Sequence, residues 1–321
     1  MTKDSDSLHR FIFERLGVRG ELVRLDASFR AVLKRHPYPD PVQHLLGEAL
    51  SAVALLTATL KFEGSLILQA QGDGPLRTLV AQGTHQRTVR GLARWHGEVP
   101  AGDIGQQFGE GRLVLTLDPL GGERYQGIVP LQGNSLGAAV EAYFGASEQL
   151  PTRMWLAVDG RRAVGLMLQR MPAGSGYDEQ QSRAGLDQAG TQSAAPDRDG
   201  LVADGRDADG WDRTTMLADT VSEQELLSLS VQELLRRLFH EEDLRLFEPE
   251  PVAFRCGCSR ARVANALRAI GQAEVDQIIQ DEGSVGVTCE FCNRDYRFDA
   301  VDARELFADA VVPADIKARR H

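Results

Sequence analysis

The stretch VQHLLGEALSAVALLTATLKF, residues Val42 to Phe62, decides how the first half of the chain must fold. It is helical in pattern, with apolar or small residues on nearly every side. A helix without a polar face is buried inside a core rather than laid on its surface. Its longest apolar run, Ala49 to Leu60, is bracketed by Glu48 and Lys61 and is too short to cross a bilayer. Working outward, strand signals surround it. Ser65 to Gln71 ends in the turn Gly72-Asp-Gly-Pro75, and Arg77 to Gln82 follows. Arg112 to Leu117 alternates Leu113, Leu115 and Leu117, then turns at 118–122 into Arg124 to Leu131. Arg153 to Val158 and Ala163 to Met171 flank Asp159-Gly160, a common hairpin dipeptide. Hairpins dominate over strand-helix-strand units, so residues 1–172 are expected to form an α+β domain of antiparallel sheets around the buried helix.

Beyond it the character changes. Residues 173–211 are rich in Gly, Ser, Gln and Asp with few aliphatic side chains, a composition that cannot offset its own ordering entropy. An acidic flexible insert is expected there, opening a linker that runs to 250. Ser222-Glu-Gln-Glu225 and Ser230-Val-Gln-Glu233 each match the Ser-x-x-Glu capping box. The second opens a helix with Val231, Leu234, Leu235 and Leu238 at i, i+3, i+4 and i+7. That stripe needs a partner surface. Docked, it is a helix packed on the core; released, it leaves Leu234, Leu235, Leu238 and Phe239 in a mobile chain.

The chain has only four cysteines in 321 residues, and all lie near its end as Cys256-Gly-Cys258 and Cys289-Glu-Phe-Cys292. Two such pairs supply the four thiolates of a tetrahedral structural zinc site, so Cys256, Cys258, Cys289 and Cys292 are the expected ligands of one Zn²⁺. Ser259 is placed to cap a helix, 272–280 to form a second, and 285–298 to run strand, C-x-x-C turn, strand. A module at 251–300, followed by a tail at 301–321, lacks a sizeable core, so metal would supply much of its folding energy. Arg255, Arg260, Arg262, Arg294 and Arg297 stand close in sequence to the ligands, and positive neighbours stabilise thiolates, the form that oxidants attack.

Composition narrows the function. The net charge of −10 argues against nucleic acid or an anionic membrane as the main partner. The N-terminus lacks the basic-then-apolar pattern of a secretory signal, and a cytoplasmic protein is expected, where clustered thiols suggest metal or redox chemistry. Two competing readings stand beside that one. Gly133-Asn-Ser-Leu-Gly137 fits G-x-S-x-G between a strand and a helix, the context of a serine hydrolase using Ser135, with the zinc module as support. The later histidines are His240 and His321, poor partners for it, and a Ser before a helix is commonly an N-cap. A zinc ribbon that binds RNA is the other alternative, but Asp and Glu outnumber Arg between 250 and 299, so no basic patch emerges.

The whole pattern resembles the redox-regulated thirty-three-kilodalton heat-shock chaperone family of bacteria. The residues that carry the likeness are Val18-Arg-Gly-Glu-Leu22, Tyr38-Pro39, Leu56 to Phe62, Gln71 to Pro75, Gly122 to Gly127, Ser147 to Arg153, Leu238 to Glu242, Cys256 to Arg260 and Cys289 to Cys292. The insert near Ser175 to Gly210 is longer than the family linker. The resemblance implies an ATP-independent holdase for unfolding proteins, not an enzyme, inactive when reduced and zinc-bound and activated by oxidation. It also implies disulfides Cys256–Cys258 and Cys289–Cys292 in the oxidised form, and a homodimer on activation.

Overall fold

The computed structural model describes residues 5–60, 62–131, 133–172, 207 and 209–308. The insert expected at 173–211 therefore lies outside the described residues, apart from 207 and 209–211, and so does the tail beyond 308. The chain divides into two units, Met1–Arg255 and Cys256–His321.

The first unit opens with β1 (Ser7–Phe13) and β2 (Val18–Leu25), then α1 (Ala27–Leu33) and α2 (Asp40–Ala58). Next come β3 (Gly64–Gly72), β4 (Leu76–Thr84), β5 (Thr88–Trp95), α3 (Ile104–Phe108), β6 (Gly111–Pro119), β7 (Tyr125–Pro130) and α4 (Leu136–Tyr143). The hairpin β8 (Thr152–Val158) and β9 (Ala163–Arg170) precedes α5 (Gly210–Ala218), α6 (Glu223–Ser228) and α7 (Val231–Phe239). Three two-residue strands end the unit: β10 (Arg245–Leu246), β11 (Glu250–Pro251) and β12 (Ala253–Phe254).

Two sheets result. The first runs β10-β1-β2-β9-β8, with β11 also paired to β1. The second runs β12-β5-β4-β3-β6-β7. Every pairing among them is antiparallel except β12 on β5. The expected α+β class with antiparallel sheets around a buried helix is what the chain adopts.

Helix α2 lies between the sheets, touching β2, β8 and β9 of the first and β3, β4 and β5 of the second. Residues Leu45 to Ala58 are all buried, which is why the sequence shows no polar stripe. Two glycines let the sheets come this close. A Cβ on Gly83 would sit 2.3 Å from Oγ1 of Thr57, and one on Gly165 would sit 2.8 Å from a Leu55 methyl. At such separations a side chain cannot be added without moving the helix.

The opposite face of the first sheet is covered too. Phe11, Phe13, Val18, Leu22, Leu166 and Leu168 form a second apolar cluster with Leu226 of α6 and the stripe of α7. Strands buried on both faces read as continuous apolar runs rather than as alternation. That is why β1 and β2 carry no period-two signature. Ser135, the candidate nucleophile, accepts the N–H of Ala138 and caps α4.

The second unit contains α8 (Arg260–Ile270), α9 (Gln272–Glu282), the hairpin β13 (Val285–Thr288) and β14 (Asp295–Phe298), and α10 (Ala300–Ala308). Its core is small: Leu267, Val275, Val285, Tyr296, Phe298, Ala303 and Leu306. Residues 301–308, read from the sequence as tail, are helical because Ala303 and Leu306 fill this core. Residues 251–254, assigned from the sequence to the module, fall in the first unit, with Pro251 in β11 and Ala253–Phe254 forming β12.

Candidate metal centre and the covered sheet face

Each cysteine is placed by its own local structure. Ser259 accepts the N–H of Arg262 and caps α8, fixing the chain just after Cys258. Arg262 donates back to the carbonyl of Gly257 at 2.8 Å. On the other side, residues 289–294 make a tight knuckle between β13 and β14. The N–H groups of Cys292 and Asn293 both donate to the carbonyl of Cys289, at 3.2 and 2.7 Å, and Cys289 donates to Arg294. Asn293 turns through the left-handed region at φ 53, where asparagine is tolerated better than most residues.

The four sulfurs converge. Sγ of Cys256 and Cys289 lie 3.6 Å apart, those of Cys258 and Cys292 3.3 Å apart, and all four fall within 4.8 Å of one another. A tetrahedral centre with metal–sulfur bonds of about 2.3 Å separates its ligands by about 3.8 Å. The cluster brackets that spacing, so these cysteines can hold one metal ion. Their electrostatics fit the same use. Burial opposes ionisation of Cys258, but hydrogen bonds from the Tyr296 hydroxyl, 3.1 Å away, and from the neighbouring thiols bring it down to about 7. Burial and the bond to Cys258 push Cys292 up to about 12, and burial raises Cys289 as well. One thiolate suppresses the rest, and four can be ionised together only against a cation.

A sequence model of the Hsp33 protein family matches residues 6–299. The chain belongs to the Hsp33 family. Among Hsp33-family relatives, the 33 kDa chaperonin of Nitrosococcus oceani is 50% identical over 316 residues, covering 98% of this chain and 99% of that protein. The 33 kDa chaperonin of Azotobacter vinelandii is 47% identical over 308 residues, with 95% of each covered. A crystal structure of the 33 kDa chaperonin from Thermotoga maritima superposes with a TM-score of 0.75 over 95% of this chain and 99% of that one. At 23% identity that likeness speaks to the fold alone.

In this Hsp33-family chain the second feature of interest lies within the first unit. Leu234, Leu235, Leu238 and Phe239 are all buried on the outer face of the first sheet. The Phe239 ring stands 5.0 Å from Phe13 and 6.2 Å from Phe11. Both capping boxes close as the sequence predicts, at Ser222 and Ser230. Polar ties that the sequence did not reveal add to the hold. Buried Arg24 of β2 donates to the carbonyls of Leu226 and Leu227 at the end of α6, at 2.8 and 3.2 Å, and Arg162 donates to Leu227 at 2.8 Å. Asp219, after α5, takes the guanidinium of Arg153 at 2.8 Å and the indole N–H of Trp155 at 3.1 Å. Guanidinium-to-carbonyl contacts leave no periodic trace, and only the packed sheet brings their partners together.

Proposed function

We propose that this chain is a redox-regulated, ATP-independent chaperone that holds unfolding proteins in the cytoplasm under oxidative stress, with one Zn²⁺ on Cys256, Cys258, Cys289 and Cys292 in its reduced, inactive form. The observation that carries this reading is a pair of features on one chain. A short helix covers a large apolar sheet face, and a cluster of four thiols follows about sixteen residues later in sequence.

Bound there, the ion supplies the positive charge that keeps four sulfurs ionised and cross-links the two ends of a module with a small core. The remaining steps belong to the protein's own residues. A peroxide oxidises thiols in pairs: each pair gives up two electrons and two protons, one S–S bond forms, and the peroxide leaves as two waters. Sulfur contacts of 3.6 and 3.3 Å in the reduced cluster run between the motifs. Once that arrangement loosens, closure within C-x-C and C-x-x-C needs the smallest loops and the least entropy, favouring Cys256–Cys258 and Cys289–Cys292. Disulfide formation removes the ligands, and seven buried side chains do not hold such a module alone.

With 256–308 unfolded, the chain that follows α7 is left to the two-residue strands β10 to β12, a weak hold that eases release of the helix. A helix of nine residues is marginal by itself in water, so release means melting. Phe11, Phe13, Leu22, Leu166 and Leu168 are then uncovered together with the stripe of α7. Such a surface takes up unfolded polypeptide, or a second copy of the chain as a homodimer. The acidic charge disfavours nucleic acid and anionic membranes as partners, and among the described residues no helix is long and apolar enough to cross a membrane. Nothing in this scheme calls for an enzymatic step; Ser135 serves as a cap.

The test is suppression of aggregation of a denatured client without nucleotide, by the reduced protein and again after peroxide. Suppression only after oxidation, lost on re-reduction with zinc, is expected. Equal activity in both states would overturn the redox control, and none in either would overturn the chaperone reading.

A further inference from the structure

Residues 250–255 join the first unit at two places. Glu250 and Pro251 pair with Leu8 and Ser7 of β1, while Ala253 and Phe254 pair with Thr88 and Val89 of β5. The N–H groups of Val252, Ala253 and Arg255 donate to the carbonyls of Asp6, Arg87 and Val89 at 2.8, 3.0 and 3.1 Å. The Glu250 carboxylate is gripped from two sides, by Arg10 at 2.7 Å and Arg87 at 2.6 Å. Arg87 also donates to the carbonyl of Thr57 near the end of α2. Glu250 lies only six residues before Cys256, and the clasp runs up to Arg255 beside it.

Opposite Arg10 in the β1–β2 ladder stands Glu21, so the two side chains leave the sheet on one face. Glu21 is 3% exposed. Its Oε2 has no hydrogen-bond partner, and neither has the buried Nε of Arg10. A buried carboxylate oxygen left unpaired beside an idle arginine donor is destabilising, and an apolar or amide residue would avoid the penalty. The charges that bear on Glu21 are Arg19 of its own strand, Arg10 of β1 and Arg87 before β5. Of these, Arg19 is taken up by Gln169 of β9, and the other two are shared with Glu250. One of the two carboxylates is thus fixed in the sheet, and the other rides on the segment that leads into the cysteines.

We propose that Glu21 is a standby counter-ion for this clasp: while 250–251 are docked, Arg10 and Arg87 hold Glu250, and when the segment lifts both guanidiniums turn to Glu21. The lifted form then strands no half-buried arginine, and the segment can leave and return without the sheet rearranging. Glu21 acts through the arginines and is a positioning residue. The trigger rests on the redox reading above, but the exchange of partners lies wholly within the first unit.

The exchange carries a proton. In the docked form burial holds the Glu21 carboxyl above its ordinary 4.5, against the pull of the three arginines; paired with two guanidiniums in the lifted form it returns towards or below that value. The docked form therefore binds a proton that the lifted form releases. Docking is fully supported below the ordinary glutamate value and loses that support as pH rises towards the raised one.

The test is amide exchange in the full-length, reduced, zinc-loaded protein from about pH 5 to 8, corrected for intrinsic rates, with α2 amides as the control for folding. In the wild type, protection at Val252, Ala253 and Arg255 is expected to fall as pH rises, nowhere more steeply than about tenfold per pH unit, the signature of one proton. Glu21→Gln should keep the protection and lose the slope. Glu250→Gln should lose at least about tenfold of the protection at every pH, with α2 unchanged, because its charge-assisted bonds go. A wild-type profile that is flat overturns the proposal with no variant needed. So does a Glu21→Gln profile that matches the wild type, or a Glu250→Gln protein that stays fully protected. None of these readings uses a client or an oxidant, so a failed chaperone assay beside an intact slope would sink the function and leave the clasp standing.

Discussion

Replacing Phe239 with Ala should open the cover over the first sheet without any oxidant. Phe239 is 2% exposed and closes an aromatic trio with Phe13 at 5.0 Å and Phe11 at 6.2 Å. Truncating a buried Phe costs about 3–5 kcal/mol. That shifts the docking equilibrium of α7 from about a hundredfold to a few thousandfold, at about 1.4 kcal/mol per factor of ten. The helix has little to spare against such a loss, because nine residues barely hold helical structure unaided. The assay is amide exchange across 231–239 in reduced, zinc-loaded protein, with Gln232→Ala on the exposed side of the same helix as the control. Protection in Phe239→Ala should fall by at least about a hundredfold, while α2 amides and the control stay unchanged. The reduced variant should also suppress client aggregation. If protection across 231–239 moves by less than about threefold, the aromatic trio does not hold the helix, and the switch must lie in the cysteine module alone.

Cys292→Ser should abolish tight metal binding and unfold 256–308 while the thermal transition of the first unit persists; metal content and the amide spectrum of the two units check this. Ser135→Ala should cost about 1 kcal/mol through the lost cap of α4 and leave chaperone activity intact. Esterase activity that vanished in that variant would restore the hydrolase reading. Glu141 accepts the Met154 N–H at 2.7 Å, and burial raises its carboxyl above the ordinary value despite that bond and Arg153. Its folded form thus binds the proton more readily than its unfolded form, so its contribution is complete below about 4.5 and is lost as pH rises. Glu141→Gln should accordingly melt higher than wild type at pH 8 and no higher at pH 4.

The parts of this architecture that were readable from the chain are those written in local chemistry. Helix α2 announced its burial by lacking a polar side, and the β3–β4, β6–β7 and β8–β9 hairpins were marked by turns. The cysteines needed only spacing to be paired into one candidate site. Strands β1 and β2 escaped because a sheet covered on both faces shows no alternation, and β10 to β12 because two residues make no pattern at all. Tyr296 was missed for a subtler reason. Its hydroxyl reaches Cys258 only because the hairpin register sets Val287 opposite Tyr296, and register is a property of pairing rather than of either strand. The clasp on Glu250 joins residues 163 and 240 positions apart, and nothing at either end hints at the other.

The unlike covers on the two faces of the first sheet bear on how the molecule comes apart. On one side α2 is wedged against Gly165 with no spare room, and both its ends run on into the body of the unit. On the other side α5 to α7 are three short helices tied down by a few arginines and one apolar stripe. The slope of a urea titration follows the surface exposed, so peeling away α5 to α7 should register as a shallow early transition, well separated from the steep loss of the sheets. Between the two lies a range in which one side of the sheet is wet and the other still dry. In that range an inside wall serves as an outside one, and the building stands.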